Sequence, residues 1–119
     1  MKNRTLVTAL VASPRPALWK NNPAMLEVFA RIAAERDRQR QLFQTGEITL
    51  DCGSPLPDPN RKLRVLLEEI GEVAQELDKL EGCADRRSER FVIEDLETEL
   101  VQVAAVAVAW LESLAKGPR

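Results

Sequence analysis

Apolar residues recur at helical spacing in three segments of the chain, and residues that favour turns separate these segments. The first segment begins at Asn22 and Pro23, a typical N-cap followed by a proline in the first helical turn. No further proline or glycine interrupts the chain before Phe43. We therefore expect a helix over residues 23–44, although its second half, residues 35–41, is too polar to be wholly buried.

A loop rich in proline and glycine, residues 46–59, separates this helix from the second apolar segment. Asp58 followed by Pro59 is again a typical helix start, and Gly82 can end a helix that runs to about Leu80. The apolar positions that keep the helical period are Leu63, Leu66, Leu67, Ile70, Val73, Ala74, Leu77 and Leu80.

The third segment begins at Ser88 and continues until Gly117 and Pro118, which stop a helix. From Leu100 to Leu111 the chain is apolar on every side except at Gln102. The valines of this run also favour a strand, but the run is long, rich in alanine and continuous with a polar helical pattern, so a helix is favoured. A helix that is apolar all round is predicted to be buried.

The three predicted helices form a single all-α domain over residues 23–117. An N-terminal arm over residues 1–22 precedes it, and the turn-forming residues of this arm indicate a short helical or extended segment. A chain of 119 residues buries a limited fraction of its surface when it is alone. We therefore expect the protein to form oligomers.

Composition excludes several classes of function. The chain carries 17 basic and 19 acidic side chains, so it presents no basic field for a nucleic acid polymer or an anionic membrane. Histidine is absent, which removes the commonest general base and zinc ligand. Cys52 and Cys83 lack a metal-binding spacing, so we expect free thiols in a cytoplasmic protein. No run approaches the ~20 apolar residues that span a bilayer, and the run Leu6–Ala12 is short for a signal peptide.

Acidic residues mark one side of the second helix. At about 100° per residue, Glu68, Glu69, Glu72 and Glu76 occupy an arc that adjoins the apolar face. Glu69 and Glu72 are one turn apart, so their carboxylates can converge on one point. Like charges placed there repel each other unless a cation lies between them. The alternative is an ordinary solvated helix face whose glutamates pair with neighbouring basic residues.

The third helix carries a matching line of polar residues. Asp95, Glu99 and Gln102 follow one another at helical spacing, and the line continues into the apolar face at Val103 and Val106. A carboxylate in such a position is costly to bury unless it is paired or bound to a metal. Two facing helices with these groups predict a shared cation, and Mg²⁺ suits a site of oxygen ligands without histidine.

These motifs resemble those of the MazG-like, all-α nucleoside triphosphate pyrophosphohydrolases, which carry Glu-Glu-x-x-Glu on one helix and Glu-x-x-Asp on the next. The segment from Leu66 to Ala74 is similar to the signature helix of the family, and the segment from Glu99 to Ala104 is similar to its second motif. The resemblance covers about residues 25–115. It implies a helical bundle of MazG-like type, in which the three main helices are completed into four-helix bundles by a homodimer or homotetramer.

The resemblance also implies an Mg²⁺-dependent enzyme that cleaves a nucleoside triphosphate to a nucleoside monophosphate and pyrophosphate, typically as house-cleaning of the nucleotide pool. Carried across residue by residue, it makes Glu69, Glu72 and Glu99 metal ligands. Glu68 would support the metal or orient the attacking water. Basic residues that could contact phosphates are Arg36, Arg38, Arg40, Arg61, Lys62, Arg64 and Lys79.

Gln102 stands where the family has aspartate, and its amide oxygen can coordinate Mg²⁺ but adds no negative charge. We hypothesise that Asp95, one turn before Glu99, supplies the missing charge directly or through water. The leading alternative function is a catalytically weakened helical oligomer that binds nucleotide or a protein partner. A purely structural helical bundle, whose glutamates are all solvated, is a third interpretation.

Overall fold

The computed structural model describes residues 18–55 and 57–116 of the chain. This part consists of a short 3-10 turn, Leu18–Asn21, and three α-helices, which we name α1 (Pro23–Gln44), α2 (Pro59–Glu81) and α3 (Arg86–Ala115). The predicted all-α class is confirmed, and α1 and α2 have the predicted bounds to within one residue. Most of the N-terminal arm and Gly117 lie outside the described residues.

Each helix begins after a side chain that caps its first turn. Asn22 caps α1 and Asp58 caps α2. The side-chain oxygen of each accepts a hydrogen bond from the backbone N–H three residues later, at 3.1 Å from Met25 and at 3.0 Å from Arg61. The predicted start of α3 at Ser88 is wrong. Asp85 caps this helix by accepting the N–H of Ser88 at 2.8 Å, so α3 begins at Arg86.

The long helix α3 lies at the centre of the structure. α1 and α2 each pack against α3, whereas their backbones do not come close to each other within the described residues. The loop between α1 and α2 folds back onto this arrangement, and its residues Leu50 and Cys52 pack with Val106 of α3. A groove therefore runs between α1 and α2 with α3 beneath it.

The apolar core of the described chain is small. The buried apolar side chains are Cys52, Ala105, Val106 and Ala109. The prediction that α3 is buried on every side is wrong for the single chain, because two neighbouring helices cannot surround a third. Leu100 is 50% exposed and Leu111 is 64% exposed. Both predicted free thiols are confirmed, with Cys52 buried and Cys83 half-buried.

By length and composition alone, α3 is long and apolar enough to cross a membrane. Of the 18-residue window of α3 that meets this test, 22% is buried. The sequence was expected to contain no such segment. The helix passes this test because one 18-residue window of it, rich in alanine and valine, contains at most two charged residues, and the mostly buried core helices of soluble proteins pass it too. Glu112, near the end of α3, forms ion pairs with Arg36 and Arg40 of α1, which fits a helix packed within a protein.

A buried guanidinium, that of Arg36, joins α1 to the loop and to α3. Its Nε and Nη2 donate to the two carboxylate oxygens of Glu112 at 3.1 Å and 3.2 Å, and its Nη1 donates to Asp51 at 3.1 Å. Arg36 is 3% exposed. The hydrogen bonds from Arg36 hold the pKa of Glu112 below its ordinary value. Removal of Asp51 or of Glu112 would deprive the buried guanidinium of Arg36 of one of its two carboxylate partners, which is strongly destabilising.

A buried ammonium group, that of Lys62 in α2, holds the same loop from a second side. Its Nζ donates to the backbone carbonyl of Ser54 at 2.8 Å and to the hydroxyl of Ser113 at 2.7 Å. Lys116, the C-cap residue of α3, donates to the carbonyl of Gly53 at 2.8 Å. Side chains from α1, from α2 and from the C-terminal cap of α3 therefore fix the loop where it closes the groove.

Gly53 lies where any side chain would meet Arg36, because a Cβ at this position would be placed against the guanidinium Nη2. We expect Gly53→Ala to lower the free energy of unfolding by about 1–3 kcal/mol, since both the loop and the guanidinium must shift. Urea unfolding at one fixed protein concentration measures this change.

The matched control is Gly71→Ala. A Cβ at Gly71 in α2 meets nothing within 4 Å, and alanine favours helices over glycine by up to about 1 kcal/mol. The control should therefore leave the free energy of unfolding unchanged or raise it. Equal effects of the two substitutions would contradict the packing of Arg36 against Gly53.

Candidate metal centre

Three carboxylates from two helices meet at one point of the structure. Glu69 and Glu72 project from α2 and Glu99 projects from α3, and one carboxylate oxygen of each lies within 4.8 Å of the others. Glu69 and Glu99 are half-buried, whereas Glu72 is exposed. The packing of α2 against α3 thus brings together the two acidic motifs. We call these three residues the carboxylate cluster.

Burial and like charges both oppose ionisation of the carboxylate cluster. Burial raises the pKa of Glu99 to about 7, with further contributions from its hydrogen bond to Glu72 and from the charges of Glu69 and Glu76. Burial also raises the pKa of Glu69, and the neighbouring charges of Glu72 and Glu35 act in the same direction. The cluster therefore lacks positive charge, which a proton or a cation can supply.

Gln102 lies beside the carboxylate cluster on α3. With its amide nitrogen turned towards the cluster, it donates to Oε2 of Glu69 and to Oε2 of Glu99, each at 3.0 Å. The positive end of the amide dipole then lies between two negative groups. To coordinate a cation, the side chain would have to turn its amide oxygen to the same point, because only the oxygen is a metal ligand.

Glu76 is a further acidic residue at this site, and the sequence placed it on the acidic arc without giving it a role. It is 7% exposed, and its Oε1 accepts a hydrogen bond from Nζ of Lys79 at 2.9 Å. Its Oε2 is buried and has no hydrogen-bond partner within the described residues. A buried carboxylate oxygen without a partner is costly, and it is a ligand that a hard cation can use. Its position one turn after Glu72 is the signal that could have identified it.

Two other predicted site residues, Glu68 and Asp95, lie outside the carboxylate cluster. Glu68 is exposed, and its charge contributes to the raised pKa of Glu69. Asp95 is also exposed, and its charge acts on Lys79, whose pKa is raised chiefly by its hydrogen bond to Glu76. The hypothesis that Asp95 completes the metal site stays a prediction.

A cavity of about 310 Å³ opens beside the carboxylate cluster, between α1 and α2. The cluster contributes Glu69 and Glu72 to its lining, and Gln102 lies next to them. The apolar part of the lining comes from all three helices and the loop, namely Leu42, Ile48, Leu50, Cys52, Val65 and Val106. A mixed lining of this kind suits a small ligand with one charged and one apolar part.

Arg38 of α1 is the one cation that lines this cavity within the described residues. It donates to both carboxylate oxygens of Glu35 at 2.8 Å and 2.7 Å, and its side chain is 54% exposed. These hydrogen bonds raise the pKa of Arg38, and the charge of Glu69 adds to the effect. Of the other basic candidates, Arg36 and Lys62 are buried and hold the loop.

The raised pKa of Glu99 predicts a pH dependence of stability for the metal-free protein. The folded state raises this pKa from 4.5 to about 7 and so binds the proton more tightly than the unfolded chain does. The resulting stabilisation is present at about pH 5 and is lost as the pH rises to about 8. We expect the urea midpoint, measured in the presence of a chelator, to fall over this range.

Two substitutions on α3 test this pH dependence. Glu99→Gln should reduce the slope, because glutamine does not titrate, and the raised pKa of Glu69 should preserve the remainder. Glu94→Gln, at an exposed position of the same helix, should keep the slope. A slope that persists unchanged in Glu99→Gln would contradict the raised pKa.

No protein-family model matches the chain, and no curated protein or solved structure matches it either. The MazG-like resemblance therefore rests on the two acidic motifs alone and stays a prediction. The geometry of the carboxylate cluster is an observation that is independent of that resemblance.

Proposed function

We propose that this chain is an Mg²⁺-dependent nucleoside triphosphate pyrophosphohydrolase that acts in the cytoplasm as a homo-oligomer. The observation that carries the proposal is the convergence of Glu69, Glu72 and Glu99 within 4.8 Å beside a cavity. Three oxygen ligands without histidine or sulfur suit Mg²⁺ better than zinc or copper. The reaction type comes from the resemblance of the two motifs to those of the MazG-like enzymes.

The groups present fit a hard cation in charge as well as in ligand type. Burial is the first cause of the raised pKa values of Glu69 and Glu99, and the like charges around them add to it. Within the described residues, Oε2 of Glu76 is also buried without a hydrogen-bond partner. A bound cation would offset the cost of all three features. Surface glutamates are normally solvated or paired and show neither feature. The interpretation of the acidic residues as an ordinary solvated face is therefore disfavoured.

In the proposed reaction, Glu69, Glu72 and Glu99 hold the metal. When bound, Mg²⁺ neutralises phosphate oxygens and lowers the pKa of a coordinated water, so the chemistry needs no histidine base. Glu68, which is exposed and next to Glu69, orients the attacking water. In this hydrolysis the water oxygen would add to the α phosphorus while the bond from that phosphorus to the oxygen bridging the β phosphate breaks. The bridging oxygen would leave with pyrophosphate, the other product would be a nucleoside monophosphate, and the proton lost by the water would pass to solvent.

The cavity lining supports a nucleotide substrate. Arg38 is exposed, and within the described residues its one ion pair is with Glu35, so its guanidinium can exchange this carboxylate for a phosphate of similar geometry. The apolar lining around Leu50 and Val65 can accept a nucleobase or sugar. The charged and the apolar parts of a nucleotide thus each have a matching part of the cavity.

One observation favours the alternative of a catalytically weakened oligomer that binds nucleotide or a protein partner. In the orientation that turns its amide nitrogen towards the cluster, Gln102 donates to Glu69 and Glu99, which gives the metal-free site some of the compensation that a cation would bring. This compensation lowers the gain from binding a cation and so lowers metal affinity. Without metal, the phosphate charge would not be neutralised and the attacking water would not be activated in the way described above. This alternative shares the fold and the cavity and differs only in turnover.

An assay of pyrophosphate release separates these functions. We expect the protein to release pyrophosphate from at least one member of a panel of canonical and modified nucleoside triphosphates when Mg²⁺ is present. Glu72→Gln should lower this rate by about 100-fold or more, because it removes a charged ligand. Glu94→Gln, which removes an exposed charge from α3, is the control and should leave the rate within about twofold.

The outcomes of the assay assign the function. Nucleotide binding without turnover would favour the weakened relative. Absence of binding, of turnover and of any stabilisation by Mg²⁺ would favour a purely structural helical bundle and would overturn the enzyme proposal.

A Mg²⁺ titration of the same activity identifies the residue that replaces the missing aspartate. We expect Glu76→Gln to raise the half-saturating Mg²⁺ concentration by about tenfold, because Glu76 is buried beside the cluster with a free oxygen. Asp95→Asn should change it by less than about threefold, because Asp95 is exposed and outside the group of three. A larger rise in the half-saturating Mg²⁺ concentration for Asp95→Asn than for Glu76→Gln would indicate that Asp95 supplies the missing charge.

A further inference from the structure

The loop between α1 and α2 places a buried aspartate, Asp51, in the wall of the cavity. Asp51 is 8% exposed, and its neighbours in the chain, Leu50 and Cys52, belong to the apolar part of the same wall. Asp51 is not among the charges that raise the pKa of Glu69. The cavity therefore has an acidic group that lies apart from the carboxylate cluster.

One carboxylate oxygen of Asp51 is used by the fold and the other is free. Oδ1 accepts hydrogen bonds from Nη1 of Arg36 at 3.1 Å and from the backbone N–H of Gly53 at 3.2 Å. Oδ2 accepts none within the described residues. It is not sealed from solvent, because Oε2 of Glu76 is the one buried side-chain atom without a hydrogen-bond partner in this part of the chain. A ligand in the cavity can therefore donate to Oδ2.

Gln39 of α1 lies beside Asp51 in the same wall. Its Oε1 accepts a hydrogen bond from the same Nη1 of Arg36 at 3.1 Å, and its Nε2 donates to Glu35 at 3.2 Å. Because a guanidinium only donates and a carboxylate oxygen accepts, these two partners fix which way the amide points. The second N–H of Nε2 has no acceptor within the described residues. Gln39 therefore offers a donor next to the acceptor of Asp51.

The guanidinium of Arg36 holds this acceptor and this donor in a fixed relation. Its other side is bound to Glu112 by two hydrogen bonds, at 3.1 Å and 3.2 Å, so it cannot turn without breaking them. A polar pair that is anchored before a ligand arrives can discriminate sharply between ligands, because it does not rearrange to suit a wrong one. We call Asp51 and Gln39 the polar pair.

The polar pair complements the edge of some nucleobases and not of others. Cytosine and adenine carry an amino group, which donates, next to a ring nitrogen that accepts. Uracil and hypoxanthine carry a carbonyl oxygen next to a ring N–H at the same two positions. A keto base would therefore place its oxygen against the carboxylate of Asp51 and its N–H against the N–H of Gln39. Both mismatches leave buried polar groups unpaired, which is costly.

We propose that Asp51 and Gln39 read the nucleobase of the substrate and select the amino bases cytosine and adenine over their keto counterparts uracil and hypoxanthine. This inference rests on the proposed function, in which the phosphates of a nucleotide bind at the carboxylate cluster and its base enters the same cavity. The cavity volume of about 310 Å³ is at the lower end for small-ligand pockets, which leaves the base few positions away from the polar pair.

Calorimetric titration with nucleotide analogues tests the selection. The analogues carry a methylene group between the α and β phosphorus atoms, so they cannot be cleaved there, and Mg²⁺ is present throughout. We expect the cytidine analogue to bind about 30-fold or more tightly than the uridine analogue, and the adenosine analogue to exceed the inosine analogue by a similar factor. Release of pyrophosphate from the four natural triphosphates is measured in parallel.

Two substitutions assign the selection to the polar pair. Asp51→Asn keeps an oxygen for Arg36 and Gly53 but puts an amide N–H₂ in place of Oδ2, so the preference should fall below about threefold or reverse. A merely structural role of Asp51 would weaken all four analogues equally. Gln39→Met, which does not depend on whether the Asp51 variant folds, removes the donor and should lower the preference about tenfold.

Glu47→Gln is the control, because it makes the same change of acid to amide at an exposed position of the same loop. It should leave the preference unchanged.

The outcomes separate this inference from the proposed hydrolysis. Equal binding of amino and keto analogues, or a preference that survives unchanged in a folded Asp51→Asn chain or in Gln39→Met, would overturn the inference. Turnover without base preference would overturn it while supporting the enzyme. A base preference in binding without release of pyrophosphate would support the polar pair and contradict the hydrolysis. Failure of all four analogues to bind would overturn both.

Discussion

The buried guanidinium of Arg36 is the contact on which the arrangement of the groove depends. The apolar core is too small to position the loop between α1 and α2, and Arg36 joins that loop through Asp51 to Glu112 of α3. Lys62 and Lys116 complete the attachment. Because the backbones of α1 and α2 do not come close to each other within the described residues, this polar contact sets the width of the cavity beside the acidic residues. The cavity is thus held open by ion pairs rather than by a large core.

The same packing that holds α2 against α3 forces carboxylates together. Glu99 keeps its proton to an unusually high pH, with a pKa of about 7, and in the part of the chain that the structure describes Glu76 has a buried oxygen without a hydrogen-bond partner. Both features cost stability in the absence of a cation, which is typical of a functional site built at the expense of the fold. With its amide nitrogen turned towards the carboxylates, Gln102 relieves part of this cost. In the proposed metal site, the stability of the metal-free protein would therefore be gained at the expense of metal affinity.

Local signals in the sequence predicted the helices closely, but they predicted the residues of the candidate site only in part. Asn22 and Asp58 cap helices where the sequence placed caps, whereas Asp85 competes with Ser88 and moves the start of α3. Helical spacing predicted that the two acidic motifs would meet. It could not show that Glu76 is buried and Asp95 exposed, because both lie on the predicted arcs and their burial depends on the angle between α2 and α3. The roles of Arg36 and Lys62 depend on how the loop folds back, which no local pattern encodes.

A crystal structure with Mn²⁺, a substitute for Mg²⁺ that scatters anomalously, tests the metal centre most directly. A metal site at the carboxylate cluster predicts an anomalous peak within about 2.5 Å of oxygens from Glu69, Glu72 and Glu99, with the amide of Gln102 turned to present its oxygen. The account would be contradicted by an ordered carboxylate cluster without such a peak. In that result Glu99 would be hydrogen-bonded to Glu72, and the amide nitrogen of Gln102 would face the carboxylates.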